Sequence, residues 1–203
     1  MGLALRLAQA GEEILVGSRE AARAAGAAAR IAARVPKARV RGDRNEAVIS
    51  DADVVVLCVP FDGVEPFLAQ NGQALGGKIV IDVINPLVVR KGVFGLLPIA
   101  DGSAGLLVQR HAPDARVVGA FKTISAERLE RLDRPMEGDV LLCGDDAAAK
   151  DEVADLVRRI PDLRPVDTGP LANSGLVEAL TALLLNINRR YATTTSIKIV
   201  GLD

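Results

Sequence analysis

The chain predicts an α/β fold: a doubly wound parallel sheet followed by a C-terminal helical extension. Three observations carry that prediction. The continuous apolar run Val54-Val-Val-Leu-Cys-Val59 has the character of a strand buried on both faces, as parallel strands are, and Ile79-Val-Ile-Asp-Val83 reads as another buried strand. Stretches of helical character alternate with such runs, the order expected of strand–helix–strand units. No internal repeat, low-complexity linker or second composition regime interrupts the alternation.

Taken in order, residues 2–10 carry Leu3, Leu5 and Leu7 with the small Ala4 and Ala8, a pattern that fits a helix packed on a sheet. A short strand follows at 13–17. The Ala-rich segment 20–34 is a helix that Pro36 ends, because proline lacks the N–H that would continue it. A brief strand near 38–40 and a short helix near 45–50 lead to the apolar strand 53–59. Helix is then expected at 61–70, strand at 78–83, helix at 102–111 and strand at 116–121. The next strand is 139–143 and the next helix 147–160. Residues 163–166 suit an edge strand, where Pro165 costs least. Residues 171–191 form a long, strongly apolar helix. The expected division is an α/β domain at 1–170 and a helical segment at 171–203.

Composition narrows the function classes. Apolar residues are 49% of the 203, but aromatics only 2% with no Trp, so the core must be aliphatic. The 25 basic and 26 acidic residues are interspersed, which points away from a nucleic-acid face or a polybasic membrane patch. No apolar stretch reaches the length of a bilayer span, and the N-terminus lacks the order of a secretory signal. A cytoplasmic protein is expected. Cys58 and Cys143 fall inside expected strands and read as small buried hydrophobes in a reducing compartment. His111, the one histidine, has no Cys or second His with which to form a metal site.

Gly17-Ser18-Arg19 stands just past what would be the second strand of a dinucleotide-binding domain. A carboxylate there accepts hydrogen bonds from the ribose of NAD. A hydroxyl and a guanidinium instead suit the 2′-phosphate of NADP, because Arg brings a fixed charge and a donor fork. Arg23, one helical turn on, falls on the same face as Arg19. The alternative for Ser18 is a helix N-cap. Val59-Pro60-Phe61 and Asn85-Pro86 follow the two apolar strands, at the carboxyl ends where open parallel sheets bind ligands. Pro60 stiffens the loop and Asn85 offers an amide to the nicotinamide end.

A Gly-x-Gly-x-x-Gly loop should follow a first strand and lead into a helix, its backbone approaching the pyrophosphate. No such pattern precedes Gly2, and Gly72, Gly76 and Gly77 come before a strand rather than after one. Loss of a central strand would leave its neighbours separated, with unpaired edges. The expectation is therefore that Met1 is an internal methionine. As written, the chain keeps the 2′-phosphate contacts without the pyrophosphate cradle and is expected to bind NADP weakly.

Five segments, GLALRLAQAGEEILVGSR at 2–19, AFKTISAERL at 120–129, VLLCGDD at 140–146, LRPVDTGPLANSGLVEAL at 163–180 and the LLLNI after it, together resemble one family. It is the NADPH-dependent reductases of coenzyme F420, an 8-hydroxy-5-deazaflavin. The resemblance spans the chain and implies a Rossmann-like domain with a C-terminal helical part, usually dimeric, that exchanges a hydride between NADP(H) and the deazaflavin. It places the 2′-phosphate on Ser18 and Arg19, with Arg23 as the basic residue one turn on. Val59, Pro60, Phe61 and Gly63 with Asn85 and Pro86 would line the nicotinamide half. The deazaflavin would lie against Lys122, Thr123, Ile124, Ser125 and Ala126, with Thr181 from the last helix. Lys122 stands where the family often has His, and Ala179 where it often has Ser.

In such a reaction the cofactors bring the reacting atoms, and the protein stacks the two rings and excludes water. No Ser-His-Asp or Cys-His set is required. Lys122 and Thr181 are the catalytic candidates, hydrogen-bonding a polar edge of the deazaflavin. Their alternatives are a solvated strand-end lysine and a threonine bonded back to its own turn. Asn173-Ser174 reads as the N-cap of the long helix, with Glu178 stabilising that helix start or a dimer. The ridge Leu176, Val177, Leu180, Leu183, Leu184 reads as core or dimer interface. Two rival functions stay open: an NADP-dependent imine reductase of pyrroline-carboxylate reductase type, and a shortened, non-catalytic nucleotide-binding module.

Overall fold

Aliphatic side chains build two main core clusters, one on each face of a central sheet. The computed structural model describes residues 1–202. Helix α1 (Gly2–Gln9) leads to strand β1 (Ile14–Ser18), α2 (Ala21–Arg34), β2 (Val40–Arg44) and α3 (Asn45–Asp51). Next come β3 (Val54–Leu57), a 3-10 turn at Phe61–Gly63, α4 (Val64–Asn71) and β4 (Ile79–Asp82). Strands β5 (Leu87–Arg90) and β6 (Val93–Leu96) precede α5 (Ala104–His111) and β7 (Arg116–Gly119). The chain continues through α6 (Ala126–Glu130), β8 (Gly138–Gly144), α7 (Ala147–Arg158), β9 (Leu163–Asp167) and α8 (Ser174–Tyr191).

The central sheet has the order β3-β4-β7-β8-β9. β3, β4 and β7 are parallel, as the apolar runs predict. β8 is not: it meets β7 antiparallel through Val118–Gly144 and Gly119–Cys143, which corrects the all-parallel expectation. The cause lies in the connection. Its one helix, α6, has five residues, about 7 Å of rise, too short to carry the chain back across a sheet face. β9 pairs parallel with β8 at the sheet edge and accommodates Pro165 there.

β1 and β2 form a separate parallel pair, in register from Ile14–Val40 to Ser18–Arg44. Among the described residues the other edge of β1 and the other edge of β3 have no strand partner. Ile14 and Val54 nonetheless pack on the same core cluster, so the two strands flank one apolar layer. α2 rests directly on β2 at Gly42, where a Cβ would lie 2.3 Å from the Ala24 carbonyl. The sequence reading missed the β5–β6 hairpin. Its two-residue turn, Lys91-Gly92, has left-handed φ values of 49° and 78°, a geometry that suits a tight hairpin.

Candidate active site

The end of β1 delivers Ser18 and then Arg19 to the surface, and α2 begins immediately after. Ser18 Oγ accepts the Glu20 N–H at 3.3 Å, while Glu20 itself occupies the N-cap position of α2. Ser18 is therefore not the N-cap, and its own hydroxyl proton is left to donate. The guanidinium groups of exposed Arg19 and Arg23 make no hydrogen bond or ion pair among the described residues. Arg44, which the sequence reading passed over, stands opposite Ser18 in register and is likewise exposed without a side-chain partner. A basic residue closing a strand beside the Ser-Arg strand was the available signal.

Where β3 and β4 end, their loops diverge and open a cleft of about 410 Å³. Cys58, Val59, Pro60, Phe61, Val83, Ile84 and Asn85 line it. The structure thus brings together Val59, Pro60, Phe61 and Asn85. Gly63 lies in the turn beyond, and Pro86 is buried behind; neither is part of the lining. Cys58 is a correction: β3 ends at Leu57, and the residue is exposed at the cleft rather than buried in a strand, although partial burial of the sulfur pushes its thiol pKa up. Cys143 is buried, as expected.

Beside the cleft lies a polar cluster that the sequence reading did not anticipate. Phe121, two residues past the β7 end, has φ 56°, an uncommon backbone for a bulky residue, and the next residue turns inward. The Lys122 side chain is 0% exposed, as is that of Asp82, and that of Glu178 is 1% exposed. Lys122 Nζ donates to Asp82 Oδ2 at 2.6 Å, to the Ile84 carbonyl at 2.6 Å and to Glu178 Oε1 at 3.1 Å. Burial alone would lower the lysine pKa; the two carboxylates outweigh it by charge and hydrogen bonding, and the net direction is upward.

Glu178 reaches Lys122 because α5 and α8 cross closely. A Cβ on Gly105 would lie 2.8 Å from Ser174 Oγ. Ser174 donates to Glu178 Oε1 at 2.9 Å, and the Ala104 N–H, at the α5 start, donates to the same carboxylate. The cap expectation is corrected in one respect: Asn173 occupies the N-cap position of α8 without capping it through its side chain, which donates instead to the Thr168 carbonyl. Glu178 serves the start of α5 as well as that of its own helix, where it accepts from Ser174.

The catalytic candidates fare differently from the expectation. An ammonium has three donors, and all three on Lys122 are taken inside the protein, so neither a solvated lysine nor an amine offered to a ligand describes it. Thr181 Oγ1 lies 3.0 Å from the Lys122 carbonyl and 3.3 Å from that of Val177, so the back-bond accounts for only part of its role. Thr123 is buried, Ile124 packs on the core, Ser125 caps α6 by accepting the Arg128 N–H, and Ala126 is exposed at the helix start.

The family model described as NADP oxidoreductase coenzyme F420-dependent matches residues 1–86. An F420-dependent NADP reductase of Methanocaldococcus jannaschii is 36% identical over the whole chain and 93% of its own length. The chain belongs to the F420-dependent NADP reductase family. A second reductase of that name, from Methanothermobacter marburgensis, is 35% identical over 93% of the chain and 87% of its own length. The crystal structure of a putative F420-dependent NADP-reductase from Arthrobacter superposes with a TM-score of 0.82 at 25% identity, covering 98% of this chain and 96% of that one.

For a member of this family, the residues present fit the nicotinamide cofactor at two places. The corner at Ser18, Arg19 and Arg23 holds positive charge with no internal counter-ion, the arrangement an added phosphate satisfies. Beside the cleft, Asn85 Oδ1 is buried and has no hydrogen-bond partner, while Asn85 Nδ2 donates to the Lys122 carbonyl at 2.9 Å. A buried acceptor left unpaired is unfavourable, and a ligand N–H relieves it. No helix among the described residues is long and apolar enough to cross a membrane.

Proposed function

We propose that this F420-dependent NADP reductase family member exchanges a hydride between NADP(H) and the deazaflavin coenzyme F420. The observation that carries the reading is the pair of unpaired guanidinium groups, Arg19 and Arg23, following the Ser18 strand end. When bound, the two cofactors supply the reacting carbons, nicotinamide C4 and deazaflavin C5. The chain's own task is to bind, orient and exclude water. Ser18, Arg19 and Arg23 hold the 2′-phosphate. Val59, Pro60, Phe61 and Asn85, backed by Gly63 and Pro86, receive the nicotinamide half. Residues Thr123 to Ala126 and the α8 side carry the deazaflavin. This assigns cofactor binding mainly to residues 1–170 and the second wall to the helical segment 171–203.

Steady-state reduction of the deazaflavin by NADPH and by NADH tests the reading. Arg19→Ala should cut the preference for NADPH by roughly 10- to 100-fold, the loss expected for a charge-assisted hydrogen bond. No deazaflavin reduction by either nucleotide, with turnover of a cyclic imine instead, would transfer the assignment to the imine reductases. Binding of NADPH without any turnover would favour the non-catalytic module.

The working form is a homodimer in this reading. Leu176, Leu180, Leu183 and Ile187 recur at helical spacing along α8, and Leu176 and Leu183 are 72% and 54% exposed. Val177 and Leu184, by contrast, are buried. Light scattering should find a dimer that Leu183→Glu dissociates. Interspersed charge supports small cofactors rather than nucleic acid as partners, and two free thiols support a cytoplasmic setting.

A further inference from the structure

Stacking two cofactor rings requires no lysine sealed from solvent, yet Lys122 is one, and it grips the segment that borders the cleft. Its ammonium donates to the Ile84 carbonyl at 2.6 Å. Its own carbonyl accepts from Asn85 Nδ2 at 2.9 Å and from Thr181 Oγ1 at 3.0 Å. Asp82, the partner of the ammonium, also accepts the Ile84 N–H through Oδ1 at 2.9 Å. Both backbone polar groups of Ile84 are thereby held, and Asn85 is the next residue.

We propose that Lys122 is a positioning residue for the nicotinamide end: by holding the Ile84 carbonyl with its ammonium and the Asn85 amide with its own carbonyl, it presents the Asn85 carboxamide oxygen to a ligand carboxamide. The orientation follows from hydrogen-bond chemistry. A carbonyl only accepts, so the NH2 end of Asn85 must face Lys122. The oxygen then points away from the Lys122 carbonyl, and it is the buried atom without a partner. Glu178 and Thr181 anchor the same lysine to α8, so the setting of Asn85 depends on the docking of that helix. The left-handed Phe121 backbone, φ 56°, is the strained link that turns Lys122 inward, and strain of this kind persists only where surrounding contacts enforce it. The proposal rests on NADP(H) occupying the cleft.

Calorimetric binding of NADP⁺ and of 2′,5′-ADP, which shares the 2′-phosphate but lacks nicotinamide, tests it on the full chain. Lys122→Met should weaken NADP⁺ about tenfold, the equivalent of one hydrogen bond, and leave 2′,5′-ADP unchanged. Adding Asn85→Ala to Lys122→Met should cost less than Asn85→Ala does in the parent chain, because both act through one contact, of which the backbone carbonyl of residue 122 survives in the Met variant. Equal weakening of both ligands, additive losses, or unchanged NADP⁺ binding in Lys122→Met would each overturn the positioning role. Should Lys122→Met not fold, the same criteria apply to the charge-balanced variant that also carries Asp82→Asn and Glu178→Gln. A parent chain that binds NADP⁺ no better than 2′,5′-ADP fails at an earlier point. It removes nicotinamide from the cleft, and the proposal with it.

Discussion

Replacing Lys122 by Met removes one buried cation and strands two buried carboxylates. Asp82 and Glu178 have side chains 0% and 1% exposed, so water cannot take over from the ammonium. Breaking a buried ion pair by deleting one partner costs about 3–5 kcal/mol, against a total stability of about 5–15 kcal/mol for a domain. At about 2–4 °C per kcal/mol for a chain of this size, the melting temperature should fall by roughly 6–20 °C. Melting followed by circular dichroism at neutral pH measures the effect. A fall of under about 3 °C would refute the claim that this ion cluster is sealed.

The remaining predictions probe separate parts of the molecule. In the parent chain the Lys122 pKa is raised in the fold, so its contribution is fully present below the unfolded lysine value of about 10.4 and is lost as pH climbs beyond it. Alkaline melts should therefore show a loss that the Lys122→Met variant lacks. Gly42→Ala puts a methyl 2.3 Å from the Ala24 carbonyl; displacing α2 should cost about 1–3 kcal/mol and weaken 2′,5′-ADP binding, both readable from melts with and without the ligand. Alkylation followed by mass spectrometry should label exposed Cys58 and spare buried Cys143, and NADP⁺ should slow the labelling of Cys58 because that residue lines the cleft.

Much of this protein is determined locally. The apolar runs of β3 and β4 identify parallel strands; β4 is buried throughout, Asp82 included, whereas Val54, Val55 and Val56 of β3 are only half-buried at the sheet edge. The Ala-rich α2 ends before Pro36 because the residue preceding a proline is pushed out of helical conformation, and Val35 has left it, at φ −129° and ψ 81°. Ser18 and Arg19 are legible because the corner proposed for the 2′-phosphate is set by position along the chain, at the last residue of β1 and the one after it. The cleft residues Val59, Pro60, Phe61 and Asn85 are legible for the same reason.

Only tertiary structure decided the rest. Lys122 lies 40 residues from Asp82 and 56 from Glu178, and no local pattern announces a charge whose partners come from a distant strand end and helix. Strand direction at β8 depended on a connecting helix too short to cross the sheet, and the exposure of Cys58 on where the ladder to β4 stops, at Leu57 and Asp82. On α8, spacing alone could not divide the apolar ridge. Val177 and Leu184 turn to the core and Leu176 and Leu183 to solvent because the close crossing with α5 at Gly105 sets the helix rotation. Periodicity reports that a face is buried; which groups meet there follows from how distant segments pack, and so from the fold as a whole.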